Sequence, residues 1–317
     1  MKGNGNKRYL SIIAALWGIC LAAGVFAGNE VNAAAVPGGS VFINSENFPD
    51  DYFREVVAEH FDRDKNGLLD DDEIRNAKEL SFANCMQVEP EGGDRQIPVL
   101  KRAVGDFTGI EYLTELRVLD YGGEGGAGEA TLWKNPQKIK LAKSLDVTKN
   151  KKLERLCIST KTELEAIDVR GLQNLNTISL LGVMQKLEKI RLKGNIRLKY
   201  VNVWKANYID HLDFSESPEL TQLRVISGGL TAIRLSACKK LKNLTLNCPQ
   251  LRKLNLKANK KIRWLDLNRC GLKTLNLKGQ KKLDTLHCRS NSLKKIVLYK
   301  KVRDKELGRN TKIVYRH

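Results

Sequence analysis

Apolar side chains return along most of this chain on a nearly fixed beat. From Leu145 the same pattern comes back at Ile167, Ile190, Leu212, Ile233, Leu254, Leu275 and Ile296, in steps of 22, 23, 22, 21, 21, 21 and 21 residues. Two successive units read LNLKANKKIRWLDLNRCGLKT and LNLKGQKKLDTLHCRSNSLKK. Two copies of LxxLxL recur per unit, as in Leu251-Leu254-Leu256 and Ile262-Leu265-Leu267. The alternation inside LxL is a strand signal, and the leucine ahead of it sits at a bend. Amphipathic helices would need apolar residues at a 3.6-residue period, which LxL breaks. A unit with two short strands cannot bury its leucines alone, so the units stack, pairing strands in parallel around one core. Seven turns at ~4.8 Å per strand pair predict a stack roughly 34 Å long.

A different pattern precedes the repeat. FPDDYFREVVAEHF puts Phe53, Val56, Val57 and Phe61 on one helix face, with Pro49 at the first turn. DEIRNAKEL reads as a second helix. Between them, FDRDKNGLLDDDE has the spacing of a calcium loop: Asp62, Asp64 and Asn66 at positions 1, 3 and 5, the Leu68 carbonyl at 7, Asp70 at 9 and Glu73 at 12, with Gly67 at the sharp turn. A hard cation takes six or more oxygens, and this spacing wraps them around one point. An acidic helix-loop-helix that binds nothing is the competing reading. Leu69, at position 8, has no evident partner loop, so calcium is expected to stiffen a structural site rather than act as a regulatory switch.

These patterns divide the chain into a signal peptide (1–33), a linker (34–45), an EF-hand-like helical cap (46–82), a lead-in and Gly-rich loop (83–144), the solenoid (145–300) and a C-terminal cap (301–317). GDFTGIEYLTELRVLDY is expected to begin the coil, and YGGEGGAGEA is a glycine-rich excursion. The excursion lacks the GK[ST] ending of a phosphate loop, which argues against a nucleotide site.

The spacing LxxLxLxxNxL resembles a leucine-rich repeat. LDVTKNKKLERL (145–156) and FTGIEYLTEL (107–116) are similar to short-repeat leucine-rich surface proteins of anaerobic, gut-type Firmicutes. The resemblance implies an α/β solenoid of 21–23-residue repeats, two short strands per turn, behind a signal peptide and a helical calcium-loop cap. It also implies interaction at a cell surface or with a host. At the family's asparagine position this chain has Lys161, Val183, Ala206, Gly228, Pro249 and Cys270, with Asn291 alone matching. The other half-repeat keeps Asn150, Asn195 and Asn259. The longer units around 167–211 are therefore expected to bulge.

At the N-terminus, Lys2, Lys7 and Arg8 precede an apolar run from Leu10 to Ala27, with small residues beyond it, which reads as a secretory signal; an uncleaved anchor is the alternative. No other segment is long and apolar enough to span a membrane. Cys20 leaves with the signal, and Cys85, Cys157, Cys238, Cys248, Cys270 and Cys288 remain. An even count in a secreted chain suggests disulfides, but these positions fall where the repeat wants small apolar side chains, which favours buried thiols.

Charge is uneven. Of the formal +19, residues 1–140 carry −7 (15 Lys and Arg against 22 Asp and Glu) and residues 141–317 carry +26 (40 against 14). Stacking turns a recurring residue into a line, so Lys151, Lys152, Lys239, Lys240, Lys260, Lys261, Lys281 and Lys282 form a lysine ladder at one bend. A polyanion such as teichoic acid, a sulfated glycan or extracellular nucleic acid would relieve its repulsion; a merely solubilising shell is the bland reading. No sequence-specific nucleic-acid reader is indicated. A second surface gathers Tyr200, Trp204, Trp264, Arg224 and Arg289, beside Asn202, Asp266 and His287, a composition suited to a protein or glycan. His60, His211, His287 and His317 lack metal-ligand spacing, and no nucleophile and base pair assembles. The sequence thus predicts a secreted binding protein rather than an enzyme, with an enzyme inhibitor or enzyme using the solenoid face as the last alternative.

Overall fold

The computed structural model describes residues 39–82, 103–122, 141–159, 162–182 and 184–316, with the backbone alone at 86–91 and 95–100. The expected signal peptide, most of the glycine-rich excursion, Cys85, Lys161, Val183 and His317 lie outside the described residues.

Where the alternation is strictest, strands form and stack. Ten of them make one long sheet, running from Glu79–Ser81 through Val118–Tyr121, Arg155–Ile158, Thr177–Leu180, Tyr200–Trp204, Gln222–Ile226, Asn243–Asn247, Trp264–Asp266 and Thr285–Cys288 to Asp304–Leu307. Every pairing between neighbours is parallel. Their register sets Leu80, Leu119, Leu156, Ile178, Val201, Leu223, Leu244, Leu265 and Leu286 side by side. Each is at most 2% exposed. Burying one such side chain is worth about 1.5–3 kcal/mol, so this row alone is a dominant stabilising term. The row ends at Lys305, which faces Leu286 on the last strand.

A second line of strands completes each coil: Ser144–Asp146, Ala166–Asp168 and Lys189–Arg191 in one sheet, His211–Asp213 with Ala232–Arg234, and Leu275–Leu277, Lys295–Leu298 and Lys312–Tyr315 in a third. Several of these strands are cut short at an Asp or Asn. The Asp146, Asp213 and Asn276 side chains each accept from the backbone N–H two residues on, at 2.8, 2.9 and 3.1 Å, which turns the chain out of the sheet. Residues of both lines share one hydrophobic core with the N-terminal helices. Despite units of unequal length, the long sheet keeps its register from Arg155 to Gln222, so the bulge expected around 167–211 is not found in it. The extra residue is taken up outside the paired strands, since a shift of one would turn the leucines outward.

The bends bury carbonyl groups that no strand satisfies, and inward polar side chains meet them. Asn150 donates to the Ile110 and Leu113 carbonyls at 2.8 and 2.9 Å, Asn195 to Val169 and Leu172 at 2.8 and 3.4 Å, and Asn259 to Leu235 and Cys238 at 2.9 and 2.8 Å. Gln280 reaches Leu256 at 2.7 Å, and the Cys238 thiol faces the Phe214 carbonyl at 3.5 Å. At the other bend, Ser227, Cys270 and Asn291 donate to Ala206, Leu246 and Leu267 at 2.6, 3.3 and 2.8 Å. The sequence alignment put Gly228 and Pro249 at this bend. Both are exposed, and Ser227 and Cys248 turn inward instead, because a buried carbonyl needs a donor that neither Gly nor Pro side chains supply.

Ahead of the coils, α1 (Asp51–Phe61) buries Tyr52, Phe53, Val56, Val57 and Phe61. Asp50 caps it, accepting from Phe53 N at 2.8 Å, so Pro49 precedes the cap rather than sitting in the first turn. The same Asp50 side chain accepts from Gly105 N at 2.8 Å, tying the helix to the lead-in. Phe53 and Phe82 stack at 6.4 Å, and Phe107 and Tyr121 join them edge-on. Gly109 permits this packing: at φ +104° a Cβ there would lie 2.2 Å from the Phe48 ring. The second helix, α2 (Asp71–Asn76), is shorter than DEIRNAKEL suggested. Glu79–Ser81 leaves the helix to start the long sheet, because Leu80 and Phe82 alternate into the core and strand pairing with Val118–Asp120 outweighs local helix propensity. Between 83 and 103 an antiparallel hairpin pairs Met86–Glu91 with Arg95–Leu100. Within 301–317, expected as a C-terminal cap, Asp304–Leu307 adds one more strand to the long sheet and Lys312–Tyr315 one to the third sheet.

None of the five described cysteines forms a disulfide. Burial pushes the Cys248, Cys270 and Cys288 thiols up to about 12, 11 and 12, from an ordinary value of 9.0. Unfolded thiols ionise first, so stability contributed by these groups is intact below pH 9 and is lost as the pH rises toward 11 and 12. Alkylation at neutral pH is expected to spare Cys248 and Cys270 in folded protein and modify them in urea; rapid labelling of the folded protein would contradict this burial. Replacing Asn195 with Leu is expected to cost about 1–3 kcal/mol in urea unfolding, because the buried Val169 carbonyl loses its donor, whereas the Leu172 carbonyl keeps the Leu175 N–H. Unchanged stability would show that the Val169 carbonyl finds another partner.

Candidate functional site

The loop between α1 and α2 is already wound into shape. Gly67, with φ +79°, makes the sharp turn, and Lys65 also takes a left-handed φ of 60°. Asp62 accepts from Asn66 N at 3.1 Å and Gly67 N at 2.9 Å, and Asn66 accepts from Leu68 N at 2.7 Å. Glu73 is 3% exposed and reaches back across the loop, accepting from Arg63 N at 2.7 Å and Asp70 N at 3.1 Å. Asp70 accepts from Glu73 N at 2.8 Å, so the two residues form a reciprocal capping box at the start of α2. Asp62, Asp64 and Glu73 each place one carboxylate oxygen within 4.8 Å of the others. These are hard oxygen donors converging on one point, which is the chemistry calcium takes. Asp70 is drawn into the helix cap, so of the expected ligands Asp62, Asp64 and Glu73 are the ones whose carboxylates come together.

Leu69 pairs with a short strand from the chain before α1 rather than with a second calcium loop. Leu68–Leu69 (β2) pairs antiparallel with Val41–Phe42 (β1), joining Val41 to Leu69, and Ile43 N donates to the Gly67 carbonyl at 2.9 Å. Part of the stretch read as a linker is therefore fastened to the loop. The sequence hid this because a two-residue bridge has no detectable period.

The lysine ladder proves uneven. Lys152 bonds Glu115 at 2.6 Å, and Lys240 bonds Glu219 at 2.6 Å. In each case the acid occupies the same bend one coil earlier. Lys281 instead lies over the Tyr299 ring, 4.7 Å from its centroid. Lys239, Lys260, Lys261 and Lys282 are exposed and make no ion pair with a described residue.

The outward face of the long sheet gathers the aromatic residues. The register brings Tyr200 beside Gln222, Asn202 beside Arg224, and Asp266 beside His287. The Arg224 guanidinium sits 4.7 Å above the Trp204 ring, and Trp264 packs edge-on against His287 at 5.3 Å. Trp264 is 42% exposed. Asn202 is buried, donating to the Tyr200 hydroxyl at 3.3 Å, and thus supports this face rather than presenting itself. Arg289 lies beside it and pairs with Glu306 at 3.4 Å, and His287 meets Asp304 at 3.1 Å. These acids on the last strand were not singled out from the sequence, since they lie beyond the regular repeat. Of the other histidines, His60 faces the Val56 carbonyl at 2.9 Å and His211 stands beside Asp210 at 4.0 Å. No helix among the described residues is long and apolar enough to cross a membrane.

No family model and no curated relative matches this chain. Among solved structures, it is similar to the functional domain of InlJ from Listeria monocytogenes, which includes a cysteine ladder, with a TM-score of 0.43 and 20% identity over 86% of this chain. That match spans 62% of the InlJ chain. It is also similar to the internalin inlF of Listeria monocytogenes (TM-score 0.28, 14% identity, 82% of this chain and 91% of that one). A leucine-rich-repeat protein of Leptospira interrogans matches with a TM-score of 0.32 and 19% identity, over 58% of this chain and 57% of that one. All three TM-scores lie below 0.5, and the architecture described above rests on this chain's own strand register.

Proposed function

We propose that this chain is a secreted leucine-rich-repeat-type binding protein that presents the outward face of its long sheet to a protein partner. The observation that carries the reading is the parallel register. It brings Tyr200, Trp204, Arg224, Trp264 and His287, scattered over the sequence, onto one face. Rigid aromatic groups next to guanidinium are the side chains that dominate protein recognition, and a sheet holds them at fixed spacing. Glycan recognition by the same face is the nearest competitor. Retention in an anionic cell wall and inhibition of an enzyme are weaker alternatives, since the acids Asp266, Asp304 and Glu306 make this face mixed in charge.

In this reading calcium holds the EF-hand-like cap. Asp62, Asp64, Asn66, Asp70 and Glu73 with the Leu68 carbonyl supply its oxygens, and the β1 pairing transmits the stiffening to the chain before α1. An ion bound only by the native state stabilises it by mass action.

Two experiments test this reading. Trp204→Ala with Trp264→Ala should abolish binding to any partner recovered from a panel of surface proteins and glycans, while leaving thermal stability within about 2 °C. Binding that survives both substitutions places the interface elsewhere. Calcium at millimolar levels should raise Tm by about 5 °C, and Asp62→Ala with Glu73→Ala should remove that response. An undiminished calcium response in the double variant refutes the metal assignment.

A further inference from the structure

In the second strand line, Leu251–Leu256 forms no strand. Two open depressions of about 1050 and 820 Å³ flank this segment, one toward Ile233–Ser236 and one toward Asn276–Lys282. Both are lined by Asn255, Lys257 and Lys260, which makes them two halves of one groove. No Asp or Glu lines either half. Lys239, Lys257, Lys260, Lys261, Lys278 and Lys282 line it, all exposed and none ion-paired with a described residue.

The contrast with earlier coils gives the groove its character. At the bend where Lys152 and Lys240 meet Glu115 and Glu219 from the preceding coil, Lys261 follows Lys240 and Lys282 follows Lys261. Two acids, Glu115 and Glu219, stand in the earlier part of this column, with Asn174 and Arg197 between Lys152 and Glu219, and no acid follows Lys240. Like charges repeating at a coil step of ~4.8 Å repel one another, and water screens this only in part. Ammonium groups bind as point charges and demand no planar, bidentate partner. The floor, however, has apolar groups: Ile233 and Leu254 are partly exposed, and Ala258 lines the half toward Ile233.

We propose that this groove binds a sulfated polysaccharide. Such a chain offers repeated anionic groups to the lysines and the C–H faces of its sugar rings to Ile233 and Leu254. A polyphosphate offers the first and not the second. The site lies apart from the aromatic face and shares no residue with it, so either can fail without the other.

Heparin serves as the probe, with chemically desulfated heparin and linear polyphosphate as the comparison arms, measured by calorimetry at about 150 mM salt. Replacing Lys257, Lys260, Lys261 and Lys278 with Gln should weaken heparin binding by about tenfold or more. Replacing Lys149, Lys151, Lys189 and Lys193 removes the same charge from coils outside the groove and should cost less than about threefold. Trp204→Ala with Trp264→Ala should leave heparin affinity unchanged. Desulfated heparin should not bind, and polyphosphate should bind more weakly than heparin. Equal losses in both lysine variants would reduce the effect to diffuse net charge. Polyphosphate binding as tightly as heparin would remove the role of the apolar floor, and absence of heparin binding by the unaltered protein would overturn the site altogether.

Discussion

Parallel strand register is the constraint on which the rest of this molecule depends. A coil of 21 to 23 residues must bring its leucines back to the same place, because each strand is sheltered only by the next. The row from Leu80 to Leu286 meets that condition across nine successive strands. Length differences between units are confined to the bends, where they cost nothing in the core. The bends have their own requirement, since they bury carbonyl oxygens beyond the reach of water. Asparagine, glutamine, serine and cysteine side chains all meet it here.

The same register that builds the core also writes the surface. Whatever points outward at one position is set about 4.8 Å from its counterpart in the next coil. Where an acid stands one coil before a lysine, as Glu115 does before Lys152 and Glu219 before Lys240, the pair neutralises itself. Where lysine follows lysine with no such acid, as at Lys261 and Lys282, charge accumulates. On the long sheet the rule produces aromatic and guanidinium pairs such as Trp204 with Arg224. Two faces of different chemistry thus arise from one periodicity.

The N-terminal helices are bound to the coils by shared aromatic packing and by Asp50, whose two carboxylate oxygens serve α1 and Gly105 separately. The acidic loop is fastened on its far side by Val41–Phe42. The loop therefore sits between two attachments.

By itself the sequence determined the repeat, the strand class and the oxygen-bearing loop, because each is a local or strictly periodic pattern: two-residue alternation, a 21-residue return, a 12-residue ligand spacing. It also placed Tyr200, Trp204, Trp264, Arg224 and Arg289 on a common face, since parallel stacking follows from the period. Only the tertiary structure decided what depends on contacts between distant segments. Leu80 belongs to a strand rather than a helix because Leu119 lies beside it. Ser227 and Cys248, not Gly228 and Pro249, turn inward because carbonyls of the preceding coil wait there. Lys152 and Lys240 are neutralised and Lys261 and Lys282 are not, because an acid one coil away is a neighbour in space and remote in sequence. Periodicity fixes which residues share a row; what each row meets is settled by the partner that folding brings against it.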